Sequence, residues 1–421
     1  MLSRGSLDSP EHGHGTSPVS SPPQDRPTAF WTVRHVLVLA LTSLLLLTGA
    51  WLLVGYPIYH FPDPMPFSGP RFLNPYAGPG GRWLKANFHA HSIAWWGLTN
   101  GKTSEGDLVR AYADMGYDVI GLSNYWRVSS PDGRPAVYHA YEHGMNVGRS
   151  HHIVIGAHAV LPFDYPILQS INRKQFVLRL LRNPSEVLVI AHPGLDTGFS
   201  RAEMAKLTDY DAMEAVSGIA KSQGWWDAAL SAGRLRWIIA GDDSHDAANP
   251  DRTGICWNMV RSASLAQADV LDALRNGRSY GVKGRGGRLG IALDRCEMRG
   301  DTLHVATAPE AAFITFTGQG GKVRRTVTSV AEADYTFQAD DTYIRVEIVG
   351  PGTHLYLNPV VRTRDGHPDP ARASVAWLES VAMWAAYAAL SLVVLAIVWR
   401  GRLPRLRFAD SRRVPAPTAE V

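Results

Sequence analysis

Two long apolar segments, one near each end of the chain, most constrain how this sequence can fold. Residues 36–54 (VLVLALTSLLLLTGAWLLV) and 380–399 (SVAMWAAYAALSLVVLAIVW) contain no charged side chain. As α-helices, each is long enough to cross a hydrocarbon layer of about 30 Å. We therefore predict two transmembrane helices, over 35–56 and 376–399.

Each apolar segment has an alternative interpretation. The first could be a cleaved signal, but it follows a polar stretch of more than thirty residues and lacks a clear small-x-small cleavage site. The second is rich in alanine and could be a buried helix of a soluble domain, but a basic tail follows it directly. A retained anchor and a second membrane span are the favoured interpretations.

The distribution of charge predicts the orientation of these helices. Residues 400–421 carry six arginines and two acids, so their net charge equals the +4 of the whole chain. Residues 55–69 contain no lysine or arginine. Because basic residues beside a membrane helix favour the cytoplasmic side, we expect both termini in the cytoplasm and the main domain outside it. The rest of the chain is neutral, so we expect the membrane as a partner and no nucleic acid polymer.

The region between the apolar helices divides by pattern. From 82 to 285, apolar runs alternate with helical signals, which predicts an α/β domain with a mostly parallel sheet. Seven or eight such units indicate a compact or distorted barrel. From 286 to 365 the helical signals stop, and short β-branched and aromatic runs predict a small antiparallel β-sandwich.

The remaining segments have simpler compositions. Residues 1–34 are rich in Ser, Pro, Gly and His, which predicts a disordered tail. Residues 57–81 contain recurring Pro and Gly and are predicted to form a stalk. The two cysteines, Cys256 and Cys296, exclude a disulfide framework and leave open whether they pair with each other.

A His-x-His pair in "NFHAHS" is the first candidate for metal binding. Residues i and i+2 of a strand share a face, so His89 and His91 project together from the end of a predicted strand. Barrels of parallel strands keep their active sites at that end. The same spacing at His12 and His14 lies in the predicted tail, where nothing fixes its geometry.

Other predicted strands also end in possible ligands. His192 follows "VLVIA", Asp243 and His245 follow "WIIAGD", and Glu142 closes "AVYHAY" together with His143. Imidazole and carboxylate ligands together suit Zn²⁺, Mn²⁺ or Fe²⁺. Such ions lower the pKa of bound water toward about 7 and bind the oxygens of a phosphoryl group, so phosphate ester hydrolysis is the expected use.

These motifs, in their order, resemble the PHP domain, named for polymerase and histidinol phosphatase. The resemblance covers about 82–285 and rests on "NFHAHS", "GYDVIGLSNY", "VLVIAHPG", "AGDDSH" and "LRNGRSYG". It implies a distorted barrel of seven strands and helices with divalent ions at the strand ends. It also implies a bridging role for Glu142, with His143, His152 and His158 as rivals for a remaining position. The ligand set implied by the resemblance is His89, His91, Glu142, His192, Asp243 and His245.

The sequence departs from the family pattern after the second predicted strand. Ser123, Asn124 and Tyr125 stand where the family commonly has Thr-Asp-His. A neutral phenol and an amide are poor replacements for charged or imidazole ligands, so we expect one or two ions rather than three. The Asp-x-His spacing favours Asp243 over Asp242, which is left to support a ligand or to cap a helix.

The sequence therefore predicts a membrane-anchored phosphoesterase, a phosphatase or phosphodiesterase, that uses metal-activated water outside the cytoplasm. Glu142 and Asp243 are the candidate catalytic residues, which would orient or bridge that water. The expected substrate is a phosphorylated small molecule or an envelope-associated phosphate ester. Two alternatives stay open: an amidohydrolase-like enzyme that cleaves C–N bonds, and a degenerate PHP-like module that binds or assembles without catalysis.

Overall fold

The computed structural model describes residues 28–78, 80–129, 135–368 and 371–400. Most of the predicted disordered tail, including His12 and His14, and nearly all of the basic tail lie outside the described residues. The chain forms two compact units. Among the described residues, the smaller unit comprises 28–50 and 385–400, and the larger unit comprises the described part of 51–384.

Seven α-helices occur in the described part of the chain. They are α1 (Thr28–Gly49), α2 (Glu105–Asp114), α3 (Ile171–Arg182), α4 (Arg201–Met204), α5 (Gln223–Ser231), α6 (Gln267–Arg275) and α7 (Trp377–Trp399). A π-helical turn, Ala50–Val54, follows α1. By length and composition, Val33–Val54 and Trp377–Trp399 are two helices that could cross a membrane.

Serine caps fix the starts of three helices in the larger unit. The hydroxyl oxygens of Ser104, Ser170 and Ser200 each accept a hydrogen bond from the backbone N–H three residues later. This bond satisfies one of the N–H groups that a helix leaves unpaired at its start. The helices α2, α3 and α4 therefore each begin directly after a capping serine.

Nineteen strands occur in the described residues of the larger unit. The first ten are β1 (Tyr59–His60), β2 (Arg71–Leu73), β3 (Arg82–Asn87), β4 (Val119–Gly121), β5 (Ala136–Tyr138), β6 (Ala140–His143), β7 (His152–Ile155), β8 (Val187–Ile190), β9 (Ala212–Ser217) and β10 (Trp237–Gly241). The other nine are β11 (Cys256–Ser262), β12 (Ser279–Lys283), β13 (Ala292–Arg299), β14 (Thr302–Gly318), β15 (Lys322–Thr336), β16 (Tyr343–Gly350), β17 (Thr353–Leu357), β18 (Val360–Thr363) and β19 (Ser374–Val375).

The strands confirm a mixed α/β fold, but the ladders of the described strands do not close into a barrel. One five-stranded sheet has the order β10-β9-β8-β7-β6, and a second, larger sheet contains β11-β3-β4-β5. Pairing is parallel only along β3-β4-β5 and β8-β9-β10 in these strands. Two isolated bridges, Ala90 with Ser244 and Tyr125 with Glu142, connect the sheets.

The predicted antiparallel strands are present, but they do not form a separate sheet. Strand β17 pairs with β12, with Tyr280 opposite Leu357, and this ladder joins β13, β14, β16 and β17 to the sheet that contains β3. The pairing covers an edge of the α/β sheet that would otherwise expose unpaired backbone groups. The prediction of an isolated sandwich is therefore wrong, while the domain boundaries at 285 and 286 stay a prediction.

The segment predicted as a stalk, 57–81, is an integral part of the larger unit. Strand β1 pairs with β19, and β2 pairs with β18. Phe67 and Tyr76 are buried, and the Tyr76 hydroxyl donates to the carbonyl of Ser279. Its few large apolar side chains find partners in the core, so the segment is not an extended spacer. Cys256 and Cys296 are both buried and free.

Candidate metal centre

His89 and His91 follow strand β3 and lie almost completely buried at its carboxyl end. The backbone N–H of His89 donates to Asn87 Oδ1 at 2.9 Å, and that of His91 donates to the carbonyl of Ser244 at 2.7 Å. These bonds hold the two rings with centroids 5.3 Å apart. Both Nε2 atoms face the carboxylates of Glu142 and Asp243.

Glu142, on β6, lies at the centre of the histidines and is fully buried. Its Oε2 is 3.1 Å from His91 Nε2 and 3.5 Å from His89 Nε2. Its Oε1 is 2.8 Å from His151 Nδ1 and 3.4 Å from His192 Nε2. Each carboxylate oxygen therefore faces its own pair of imidazoles.

Asp243 approaches the same histidines from the end of β10. Its Oδ1 is 3.3 Å from His89 Nε2 and 3.2 Å from His91 Nε2, and its Oδ2 is 3.9 Å from His192 Nε2. Asp243 has a φ of 50° and His192 a φ of 23°, and residues other than glycine rarely adopt such positive values. Backbone strain of this kind concentrates at functional sites, where the surrounding structure holds it in place.

His245 lies beside this cluster. Its ring stacks on His91 with centroids 4.3 Å apart, and its Nδ1 is 3.6 Å from Asp243 Oδ1. Its Nε2 is buried without a hydrogen-bond partner among the described residues. It belongs to none of the sets in which at least three possible ligand atoms lie within 4.8 Å of one another.

Three such sets occur in the described residues, and they share members. The sets are His89, His91, Glu142 and Asp243; Glu142, His151 and His192; and His89, His192 and Glu214. The first two sets have Glu142 in common, as expected of a carboxylate between two neighbouring ions.

Glu214 and His151 are members that the sequence reasoning missed. Glu214 lies within β9, with Oε1 3.0 Å from His89 Nδ1 and Oε2 accepting the backbone N–H of His192 at 2.9 Å. His151 directly precedes β7. The sequence contains adjacent histidines at 151 and 152, and side chains on a strand point to alternate faces, so only one of the two can point into the site.

The rivals proposed for this position face elsewhere. His143 Nε2 lies 2.7 Å from the carbonyl of Phe163, and the His152 ring packs against that of His143 with centroids 5.8 Å apart. His158 is exposed and lies 2.9 Å from Glu186 Oε1. None of the three joins the ligand sets found in the described residues.

The donor atoms fit a divalent cation. Among the described residues, His89 Nε2, His91 Nε2, both Glu142 oxygens and Asp243 Oδ1 are buried without a hydrogen-bond partner. They approach one another closely, but the contacts are not aligned as hydrogen bonds. Buried polar atoms left unpaired are costly, and a cation bound between them would satisfy all of them at once. Nitrogen and oxygen donors in this combination suit Zn²⁺, Mn²⁺ or Fe²⁺.

The electrostatics of the cluster keep its carboxylates ionised. Burial alone would raise the pKa of Asp243, but His89, His91 and His192 hold that pKa well below its usual range. Burial would likewise raise the pKa of Glu142, and His151 and His89 lower it well below the usual value. The centre therefore offers anionic ligands at neutral pH.

The residues that depart from the family pattern have other roles. Asn124 Oδ1 accepts the backbone N–H of Ser92 at 2.9 Å, and its Nδ2 donates to Ser92 Oγ at 2.8 Å. Tyr125 stacks on His91 with centroids 5.0 Å apart, and burial raises its pKa well above the usual range. Asn124 thus joins two strand ends, and Tyr125 is a neutral wall of the site.

Asp242 points away from the cluster and is saturated by hydrogen bonds. Its Oδ1 accepts the backbone N–H groups of Ile255 and Cys256, at 2.8 and 2.7 Å. Its Oδ2 accepts from the Tyr112 hydroxyl, the Asn87 amide and the Gly254 N–H, at 2.7, 2.8 and 2.8 Å. Through Asn87 it supports the backbone of His89, while Asp243 alone faces the site.

A cavity of about 540 Å³ opens over the cluster. His192, Asp243 and His245 contribute to its floor, and basic side chains from three separate segments line its sides: Lys102, Arg149 and Arg252. Lys102 lies 3.5 Å from Asp246, which also lines the cavity, and Arg149 lies 3.1 Å from Asp196. An anionic group that enters this cavity would meet both the candidate metal ligands and positive charge.

Comparison with solved structures shows a distant similarity. No protein-family model matches the sequence, and no curated protein matches it. A similar solved structure is the crystal structure of a two-domain protein containing a predicted PHP-like metal-dependent phosphoesterase from Bacteroides vulgatus. It has 13% sequence identity and a TM-score of 0.36, and the match covers 75% of this chain and 99% of that chain. A similarity this distant does not assign the chain to a family, so function must be inferred from the site itself.

Proposed function

We propose that this protein is a membrane-anchored, metal-dependent phosphoesterase with a PHP-like active site that hydrolyses phosphate esters outside the cytoplasm. The observation that carries the proposal is the convergence of His89, His91, Glu142 and Asp243, whose facing nitrogen and oxygen atoms are buried and lack hydrogen-bond partners among the described residues. Such a set suits divalent metal ions, and it lies under a cavity with basic walls.

The ligand sets suit one or two ions that share Glu142. The first ion would be held by His89, His91, Glu142 and Asp243, and the second by Glu142 with His151 and His192. Divalent cations in such sites supply Lewis acidity, which acidifies water and polarises phosphoryl oxygens. His245, stacked on His91 at the edge of the cavity, lies outside these sets, with its Nδ1 3.6 Å from Asp243 Oδ1.

The two candidate catalytic carboxylates differ in access. Glu142 is fully buried and faces four imidazoles, so it would hold the ions as a shared ligand. Asp243 lines the cavity, so its carboxylate can orient an attacking water beside the phosphorus atom. The basic side chains beside the cavity can bind phosphate oxygens, Arg252 directly and Lys102 and Arg149 in place of their contacts with Asp246 and Asp196, which favours an anionic substrate over a neutral amide.

The membrane location is part of the proposal. Its support is the pair of helices long and apolar enough to span a bilayer, Val33–Val54 and Trp377–Trp399, and the six arginines after residue 399. The expected partners are the membrane and a phosphorylated small molecule or an envelope-associated substrate. The neutral charge of the region before residue 400 gives no reason to expect a nucleic acid polymer.

Activity and metal content of the full-length chain, purified in detergent, test this proposal. We expect bound Mn²⁺, Zn²⁺ or Fe²⁺ by elemental analysis and phosphate release from a panel of phosphomonoesters and diesters. The variants His89→Ala and Asp243→Asn should lose about a hundredfold or more of the rate. His158→Ala, which removes an exposed imidazole paired with Glu186, should behave as wild type.

Two other results would reject the proposal. Bound metal with no phosphate release, together with cleavage of C–N substrates, would identify an amidohydrolase-like enzyme. A chain without bound metal, whose affinity for added Mn²⁺ or Zn²⁺ is unchanged by His89→Ala, would be a PHP-like module that binds or assembles without catalysis.

A further inference from the structure

An apolar cleft lies next to the metal centre. It has a volume of about 790 Å³, and its walls are mostly apolar: Trp95, Leu98, Trp126, Met145, Val147 and Ile167. Leu98 is 85% exposed and Val147 is 81% exposed. Exposed apolar side chains gathered around one cleft mark a binding surface, whereas single exposed apolar residues are ordinary.

The cleft adjoins the cavity over the cluster, because the two spaces share four lining residues. Asn100, Tyr125, Arg149 and His151 line both spaces. Tyr125 forms the partition, since one side of its ring stacks on His91 and its carbonyl accepts a hydrogen bond from Trp95 Nε1 at 2.8 Å. A ligand that passes Tyr125 therefore has an apolar part on one side and the candidate metal ligands on the other.

Backbone strain surrounds the same cleft. Of the ten non-glycine residues with positive φ in the described part of the chain, five line or adjoin it: Trp95, Trp96, Trp126, Arg149 and Leu168, with φ between 49° and 59°. Bulky residues rarely adopt this conformation, and it persists where neighbouring structure enforces it. The display of apolar groups around the cleft is therefore built into the fold.

One wall of the cleft is anchored by residues at the end of the first apolar helix. Trp51 packs edge-on against Phe163, and Tyr56 against Tyr165, with ring centroids 6.5 and 6.0 Å apart. Arg173 donates to the carbonyls of Leu52 and Leu168. The segment that contains Ile167 therefore contacts residues 51–56, at the end of the first proposed membrane helix.

We propose that the substrate is a membrane lipid phosphomonoester, whose tail occupies the apolar cleft while its phosphate lies at the metal centre. This inference rests on the proposed function. In the reaction, water adds to phosphorus, the bond from phosphorus to the lipid oxygen breaks, and that oxygen takes a proton. The products are the lipid alcohol and inorganic phosphate. A small polar substrate would leave the cleft's apolar surface unused and exposed.

A binding measurement tests the cleft independently of turnover. With full-length, metal-loaded protein in nanodiscs, titration calorimetry compares hexylphosphonate with methylphosphonate, which carry the same head group and are not hydrolysed. Each buried methylene should strengthen binding about threefold to fourfold, so we expect hexylphosphonate to bind at least about tenfold more tightly. Val147→Asn and Leu98→Asn should each reduce this preference, whereas Val323→Asn, at an equally apolar exposed position on β15, should leave it unchanged.

Turnover then identifies the source of the ligand. We expect faster phosphate release from phosphatidate in vesicles than from glycerol 3-phosphate, the same head group without acyl chains. The ratio of the two rates should be smaller in the Val147→Asn and Leu98→Asn variants.

Equal binding of both phosphonates, with equal turnover of both esters, would overturn the lipid assignment and leave the phosphoesterase proposal standing. Cleavage of dispersed hexyl phosphate without cleavage of phosphatidate in vesicles would overturn the membrane source. Tail-dependent binding with no phosphate release from any ester would overturn the proposed function and support the cleft assignment.

Discussion

Glu214 is a buried carboxylate that supports two histidines of the candidate metal centre at once. It lies 3.0 Å from His89 Nδ1 and accepts the backbone N–H of His192 at 2.9 Å. A carboxylate on the second ring nitrogen fixes the tautomer and direction of a histidine ligand. Gly241 leaves room for it, because a Cβ there would collide with Glu214 Oε1 and His89 Cβ. Glu214 is thus a positioning residue.

We expect Glu214→Gln to weaken metal binding by about 10-fold to 100-fold while the fold is retained. The amide keeps the size of the side chain but removes the charge that holds His89 in one tautomer. Competition of the full-length protein with a chelator measures the affinity, and Glu310→Gln, at an exposed position, is the matched control. Equal metal affinity in wild type and Glu214→Gln would show that the carboxylate does not support the site.

Most residues of the candidate metal centre could be predicted, because they lie at the ends of predicted strands. His89, His91, Glu142, His192 and Asp243 each end or follow a short apolar run, and the structure brings them together. Glu214 and His151 could not be found in this way. All six residues of β9 are buried, so no alternation of polar and apolar residues marks the face that Glu214 occupies.

At the scale of elements, one ion pair joins a helix of the α/β region to the antiparallel strands. Asp227 on α5 accepts two hydrogen bonds from Arg345 on β16, at 2.7 and 2.8 Å, and a third from the Tyr343 hydroxyl at 3.1 Å. Both charged side chains are buried. This two-pronged geometry is the strongest form of an arginine–carboxylate contact.

Breaking this pair should be costly, because one buried charge would lose its partner. We expect Asp227→Ala to lower the free energy of unfolding by about 3–5 kcal/mol. Arg295→Ala, which removes a half-exposed partner of Glu332, should cost less than about 1 kcal/mol. Unfolding of the detergent-purified chain measures both variants, and equal losses would mean that the buried pair does not hold the two elements together.

Helices and sheets differed in how well they could be predicted. The starts of α2, α3 and α4 depend on local contacts of a capping serine, which are visible in the sequence. Sheet order depends on pairing between distant segments, such as β12 with β17 and β2 with β18. Local patterns contain no information on such pairs, so the antiparallel strands were predicted correctly as strands and assigned wrongly to a separate sandwich.

At the scale of the whole molecule, the proposed topology can be tested with single cysteines. We expect Val323→Cys to react with a membrane-impermeant maleimide in intact cells, because Val323 is exposed in the proposed extracytoplasmic part. Ser6→Cys, in the tail before the first apolar helix, should react only after lysis. The native Cys256 and Cys296 are buried and should give little background. The opposite labelling pattern would reverse the proposed orientation.

The ladder between β1 and β19 pairs a strand near the start of the larger unit with a strand near its end. Tyr59 lies opposite Val375, and the backbone N–H of Ala376 donates to the carbonyl of Ile58 at 2.9 Å. The polypeptide thus enters and leaves this unit at one seam. A protease that cuts an exposed turn far from the seam would produce two fragments, each with one apolar helix and one strand of the ladder. Such a nicked protein should stay a single particle, because the β1–β19 ladder and other ladders, such as β2 with β18, still join the two fragments.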